Sequence, residues 1–343
     1  MIYSTSAIYA QRIYGSPYHF LQRQILHCFI GFFFLRLGIK FPFTGYKKLI
    51  PVFMLVTFLL MIFVLIPGVG TEVGNARRWI RFLGVGIQPS ELLKFTLIAW
   101  VAGFLDRRRD VLGYFFRGLF PTLIVMSVFF LLLMLQPDFG TAVLINLTLF
   151  IMIFAAGVKP FHMLGCLSGL GVIGGLLIVN KTYRMRRVTG FLDPYADPLD
   201  SGFQLIQSFI AFGTGGIFGK DLGNSQQKLF FLPEGHTDFI FSILAEETGF
   251  IGVMAVLILL LILLVKGVDV ALECRNDFGR NLAFGITTLI ILQSFLHIGV
   301  CIGILPTKGI PLPFISYGGS SLILNMFLIG VLVNIANSRD QKW

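Results

Sequence analysis

The sequence predicts an all-α integral membrane protein, a polytopic helical bundle. Three observations carry that expectation. Of the 343 residues, 56% are hydrophobic and 13% charged, with mean hydropathy +0.84, where a soluble domain carries about 25% charged residues. The apolar residues gather into runs long enough to cross a bilayer as helices, not into the roughly ten-residue alternating segments of a barrel. Between the runs lie Pro/Gly-rich turns and clusters of Lys and Arg.

Taken in order, the runs fall at roughly 24–43, 50–69, 90–105, 114–135, 139–157, 161–180, 238–265, 282–304 and 318–336. Arg36 weakens the first. "LDRRRD" (105–110) marks a cytoplasmic loop by the positive-inside rule. Alternation then puts Lys47, Lys48, Lys159, the stretch 266–280 and the C-terminus inside. It puts 70–89, 136–140, 181–237 and 305–317 outside. Two basic clusters thereby face outwards, "ARRWIR" with Arg77 and Arg78, and "KTYRMRR" with Arg184 and Arg186. They suggest an anionic ligand, with lipid-headgroup anchoring as the plainer alternative. The net charge of +10 is read as facing membrane and ligand, with no nucleic acid as partner.

The outer loop 181–237 contains "FQLIQSFIAFG" (203–213). Phe203, Ile206, Phe209 and Ile210 have the spacing of a short amphipathic helix lying on the membrane surface. No linker divides the chain, so residues 1–343 are expected to form a single membrane domain. "GTGGIFGKDLG" (213–223) fails the P-loop pattern, since Thr214 stands where Gly is needed and Asp221 follows Lys220; it reads as a flexible surface turn. Four scattered cysteines and five histidines show no zinc spacing.

Polar groups inside the apolar runs are the functional candidates, because a charge at a helix centre costs about 2.5–3.5 kcal/mol on insertion scales. In "QPSELLKFTL" (88–97), Ser90 reads as an N-cap, and Glu91 and Lys94 share a helix face. They form either a pair at the interface or the lining of a cavity. In "LQPDFGTAVL" (135–144), Asp138 either caps the next helix or projects into that cavity. "LPTKGIPLPFISYGGSSL" (305–322) is irregular, as a cavity wall or an external loop would be, and holds the candidates Ser316 and Ser320. In "PEGHTDFIF" (233–241), Thr237 reads as an N-cap. Asp238, Ser242 and Glu246 then recur at i, i+4, i+8 as a polar stripe facing a cavity, with Glu247 beside it. His236 either orients Asp238 or caps the loop.

"GNSQQKLFFLPEGHTDFIFSILAEETGFIG", "PTKG…SYGGSSL", "QPDFGTA", "ARRWI…QPSELLK" and "FLDPYADPLDSGFQLIQS" together resemble the SEDS proteins, the shape, elongation, division and sporulation family. The resemblance runs nearly end to end and is nearer the division and sporulation members than the elongation member. It implies a peptidoglycan glycosyltransferase of the bacterial cytoplasmic membrane that polymerises lipid II on the outer face, at the division septum. It implies a class B penicillin-binding protein and other divisome proteins as partners. The family's essential carboxylate falls on Asp238, and its polar-cavity residues match Glu91, Lys94 and Asp138. The family has ten helices. "MIYSTSAIYAQRIYGSPYHFLQRQ" matches the segment after the first of them, so about nine spans are expected here, with the first truncated or lost, and the large outer loop between the sixth and seventh.

A lipid pyrophosphate leaves without protonation, so one carboxylate suffices, as base for the attacking hydroxyl; a glycosidase needs two. The charge on the leaving group would be met by Arg77, Arg78 or the 184–187 cluster, or by a divalent cation, magnesium or manganese. Two other readings are a lipid II flippase or transporter and a non-catalytic division scaffold.

Overall fold

The computed structural model describes residues 1–73, 76–82, 85–179, 182–228, 232, 235 and 237–338. It is mainly helical. Helix α1 spans Ile2–Tyr14, α2 His19–Lys40 and α3 Phe43–Phe63. Then come α4 Pro89–Arg107, α5 Phe120–Leu135, α6 Phe139–Ala155, α7 Pro160–Val179, α8 Thr182–Leu192 and α9 Phe203–Gly215. Last are α10 Ile240–Glu273, α11 Asp277–Cys301 and α12 Gly319–Asn337. Each of the nine apolar runs of the sequence lies mainly in a helix. Five described helices are long and apolar enough to cross a membrane: α3, α5 with its π-turn lead-in from Phe115, α10, α11 and α12.

The all-α expectation needs one correction. The stretch expected as an outer loop holds strands β1 (Gly70–Val73), β2 (Ala76–Phe82) and β3 (Val85–Ile87), an antiparallel sheet in the order β1-β2-β3. Thr71 pairs with Trp79, and Ile80 with Ile87. Strands this short are hidden in the sequence by their interleaved glycines and arginines.

By its internal contacts the chain forms two compact units. One holds Met1–Leu26, Cys166–Ile262 and Gln293–Gly318; the other holds His27–Gly165, Leu263–Leu292 and Gly319–Trp343.

In the second unit α4 is the most buried helix and packs against α3, α6 and α12. In lipid, helix association relies on close backbone approach and polar side chains more than on hydrophobic drive. Both devices are present. A Cβ on Gly330 would lie 2.3 Å from the Leu35 carbonyl oxygen, so α2 and α12 touch backbone to backbone there. Asn334 accepts from the Phe43 N–H at 2.9 Å and donates to the Ile39 carbonyl at 2.6 Å, tying α12 to the α2–α3 corner. Lys47 pairs with Asp106 at 2.5 Å and Arg109 with Asp277 at 3.0 Å, which gathers the basic residues expected inside at one end of α4. The sheet and Asp138 lie at the other end, about 28 Å away by helix rise.

In the first unit α10 is broken, which the sequence run concealed. Gly249 has φ +64° inside it. The loop after α9 supplies what the break removes. Carbonyls of Gly216 and Ile217 accept from the Phe250 and Ile251 N–H groups at 2.9 and 3.3 Å, and the Lys220 N–H donates to the Glu246 carbonyl at 3.0 Å. The loop can pass this close because Gly219 (φ +82°) has no side chain; a Cβ there would lie 2.2 Å from the Glu247 carbonyl oxygen. "GTGGIFGKDLG" is therefore a clasp on α10 rather than a flexible surface turn.

Helix α9 forms where the sequence placed a short helix. Its buried stripe is Leu205, Ser208, Ala211 and Gly215, while Phe203, Ile206, Phe209 and Ile210 stay half-buried or exposed. Small residues let it lie against α10, and Ser208 meets Ser242 at 2.6 Å. The larger apolar face also meets protein at one point, since a Cβ on Gly303 would lie 2.6 Å from the Phe209 ring.

Candidate active site

Asp238 lies in the first unit, two residues before α10, so it points from the positive end of a helix. Thr237 is not the N-cap and Asp238 is not in the first turn: the first helical bonds run from the Ser242 and Ile243 N–H groups to the Phe239 carbonyl. Phe239, Ile240, Phe241 and Ile243 are buried with Val300, Cys301 and Leu312. Asp238 itself is half-buried, at the edge of that apolar core. Its position is therefore dictated by its neighbours' packing.

The segment 305–318 closes around it. Ser316 donates to the Thr237 carbonyl and accepts from the Leu312 N–H, both at 2.8 Å. The Ile310 N–H bonds back to the Lys308 carbonyl at 3.0 Å, a γ-turn with Gly309 at its apex. A Cβ on Gly309 would lie 3.1 Å from Asp238 Oδ2, so the exposed glycine sits directly against the carboxylate. Arg187 of α8 donates to the Thr307 carbonyl at 3.1 Å. Lys308, next in the chain, has its pKa held below the ordinary lysine value, first by burial and second by the charge of Arg187. Two cations and a carboxylate thus converge on one turn.

Further along α10 the stripe is enclosed, which corrects the expected cavity lining. Ser242 bonds Ser208. Glu246 is fully buried and accepts from Lys220 Nζ at 3.1 Å, from the Gln226 and Gln227 N–H groups at 3.1 and 3.3 Å, and from Ser225. Glu247 accepts from Ser4 of α1, and from Lys228 at 3.4 Å. Both carboxylates are paired and hydrogen-bonded, as buried charges must be. They hold the 220–228 loop and α1 on α10.

The second unit holds the other candidates. Glu91 and Lys94 are buried and pair at 2.7 Å. Asp138 caps α6, accepting from the Thr141 N–H at 3.3 Å, and also meets Ser90 and Gln88 at 3.4 Å each. The cap reading of Asp138 therefore holds, and its remaining contacts are to Ser90 and Gln88. Ser90 is not the cap of α4; Gln88 is, with Pro89 following it. Strand alternation separates the two arginines. Arg78 donates to the Gln136 and Pro137 carbonyls and lies 3.9 Å from Asp138. Arg77 makes an exposed pair with Glu72. Ser320 donates to the Gly86 carbonyl at 2.9 Å and accepts from the Gln88 N–H at 3.3 Å, tying α12 to the sheet. Both serine hydroxyls, 316 and 320, are thus occupied in holding backbone. Arg186 forms an exposed pair with Asp200. His236 and the Arg184 side chain lie outside the described residues. Lys308, Gly309, Lys220 and Lys228 escape sequence reasoning, because no periodicity marks a lysine or glycine in an irregular loop, whereas Arg187 belongs to the 184–187 cluster.

Residues 1–341 match the family model of the FtsW/RodA/SpoVE cell cycle proteins. The chain belongs to this family. It is 46% identical over 339 residues to a probable peptidoglycan glycosyltransferase FtsW of Geobacter sp. (strain M18), covering 98% of this chain and 92% of that one. It is 41% identical over 338 residues to stage V sporulation protein E of Bacillus subtilis (strain 168), with 98% and 92% covered. Among solved structures, one described as structural coordination of polymerization and crosslinking by a peptidoglycan synthase complex aligns with a TM-score of 0.80 at 28% identity, over 99% of this chain and 96% of that one. Thermus thermophilus RodA, a rod shape determining protein, aligns at 0.70 and 27%, over 99% and 95%. Family membership and the apolar helices make this FtsW/RodA/SpoVE protein a multi-pass membrane protein.

Proposed function

We propose that this protein is a peptidoglycan glycosyltransferase that polymerises lipid II on the outer face of the cytoplasmic membrane, within a single membrane domain of about nine spans. The observation that carries the reading is the Asp238 carboxylate seated against Gly309, the residue after Lys308, in a turn whose Thr307 carbonyl is held by Arg187. Asp238 takes the proton of an acceptor sugar hydroxyl as its oxygen attacks the anomeric carbon. The bond to the lipid pyrophosphate breaks and the anomeric centre inverts. Arg187 and Lys308 meet the charge growing on the pyrophosphate. Two cations held close repel each other, and an anionic leaving group relieves that cost.

Glu91, Lys94, Asp138 and Arg78 form a second polar site for the sugar-phosphate portion of a substrate. The working partner is a class B penicillin-binding protein, with other division proteins, at the septum. The leaving-group charge is assigned to the two cations, with a divalent cation, magnesium or manganese, as the alternative. Broken helices also occur in transporters, where freed backbone groups bind the cargo. Here the clasp loop occupies the groups freed at Gly249.

The test is polymerisation of labelled lipid II by the purified protein with a cognate class B penicillin-binding protein. Asp238→Asn is expected to lower the rate about 10²- to 10⁴-fold, the range of general base catalysis, at unchanged thermal stability. Strands made equally well by the variant would remove the base assignment. No strands from wild type with its partner would leave the flippase, read by translocation in liposomes.

A further inference from the structure

The turn that meets Asp238 is irregular backbone, and something must hold it. Within the first unit, two side chains of α11 do so. Gln293 Nε2 donates to the Pro311 carbonyl at 2.7 Å, and His297 Nδ1 bonds the Ile310 carbonyl at 2.8 Å. The two residues are four apart, so they lie on one helix face and reach consecutive carbonyls. A carbonyl only accepts, so His297 carries its proton on Nδ1. Both side chains are about 99% buried. The other ring nitrogen, Nε2, is buried with no hydrogen-bond partner, so the imidazole is retained at the cost of an unsatisfied atom. Ile310 follows Gly309, and its N–H closes the γ-turn onto the Lys308 carbonyl. Fixing the Ile310 carbonyl therefore fixes the peptide that places Gly309 against Asp238.

We infer that Gln293 and His297 are positioning residues for transfer: from one face of α11 they clamp the Ile310 and Pro311 carbonyls and hold Lys308 and Gly309 at Asp238. The inference rests on the glycosyltransferase reading only for its kinetic consequence. The clamp acts through backbone, so it controls geometry at the leaving group. A misplacement of about 1 Å costs on the order of 10²-fold in rate.

The experiment uses the full chain with its partner and four variants, His297→Ala, His297→Asn, His297→Gln and Lys308→Met, with the double variant His297→Ala/Lys308→Met. The Asn amide places a donor where Nδ1 stands; the Gln amide reaches the Nε2 position instead. His297→Ala is expected to lower kcat roughly 10- to 100-fold with KM within about twofold. Asn restores most of the rate and Gln does not. The double variant is no slower than Lys308→Met alone, because both changes break one arrangement. Amide hydrogen exchange over 307–316 rises in the Ala variant and returns towards wild type with Asn.

Equal rates for Asn and Gln, additive losses in the double variant, or unchanged exchange over 307–316 would each overturn the clamp. Should His297→Ala fail to fold, the Asn-against-Gln comparison decides. Should wild type make no glycan strands, the glycosyltransferase reading fails, and the exchange measurement still decides the clamp.

Discussion

Residue chemistry at the candidate site is set by what each side chain is forced to touch. Lys308 is the sharpest case. Burial and the neighbouring Arg187 both disfavour its ammonium form, so its proton leaves at lower pH than that of a free lysine. If the ammonium meets the pyrophosphate, the rate falls as pH rises through that lowered pKa. Lys308→Arg should move the alkaline limb of the pH–rate profile upwards, because guanidinium keeps its charge; an unmoved limb would assign the titration to another group. Gly309 gives a steric counterpart. Its Cβ position lies 3.1 Å from Asp238 Oδ2 and the residue is exposed. Gly309→Val should therefore leave thermal stability nearly intact while lowering kcat by about 10²-fold through displacement of the base. Among the arginines of the two outward clusters, the sequence could not choose. Their contacts differ: Arg187 donates to the Thr307 carbonyl and Arg78 to the Gln136 carbonyl, whereas Arg77 and Arg186 make exposed pairs.

Elements show where periodicity misleads. Apart from Asp238, Ser242, Glu246, Glu247 and Thr248 the run 238–265 is apolar, and nothing in it announces a break, yet Gly249 interrupts α10 and the loop that follows α9 repairs it. The repair is backbone to backbone, so it leaves no side-chain pattern except glycines at 216, 219 and 249. Gly249→Ala places a Cβ about 2.4 Å from the Gly219 nitrogen at positive φ, and left-handed strain alone costs on the order of 1–3 kcal/mol. The expected result is a lower melting temperature and faster hydrogen exchange over 216–228. Unchanged exchange there would mean the clasp does not depend on the break. Glu246 and Glu247, legible as misplaced charges, are anchors for that same loop rather than cavity lining. Only the positions of Lys220, Ser225 and Lys228 reveal it.

At the scale of the whole molecule, the proposal is of an enzyme that works through its own cations and with a partner. Activity measured after chelation should persist, and addition of the class B penicillin-binding protein should raise it. Activity abolished by chelator and restored by magnesium or manganese would transfer the leaving-group charge to a cation. The membrane class, the order of the apolar helices and the family were all legible from composition, run length and motif order. Those properties are local or additive along the chain, so a linear reading can reach them. The candidate carboxylates were legible too, because a charge in an apolar run is conspicuous anywhere. Which of them is fully buried and which is half-buried was decided only by the tertiary structure. Glu246 and Asp238 are eight residues apart on one stripe, yet one is enclosed by a distant loop and the other faces a glycine from a distant turn. Hydrogen bonds such as Gln226 to Glu246 or Ser316 to Thr237 depend on distance in space, and that information does not exist until the chain has folded.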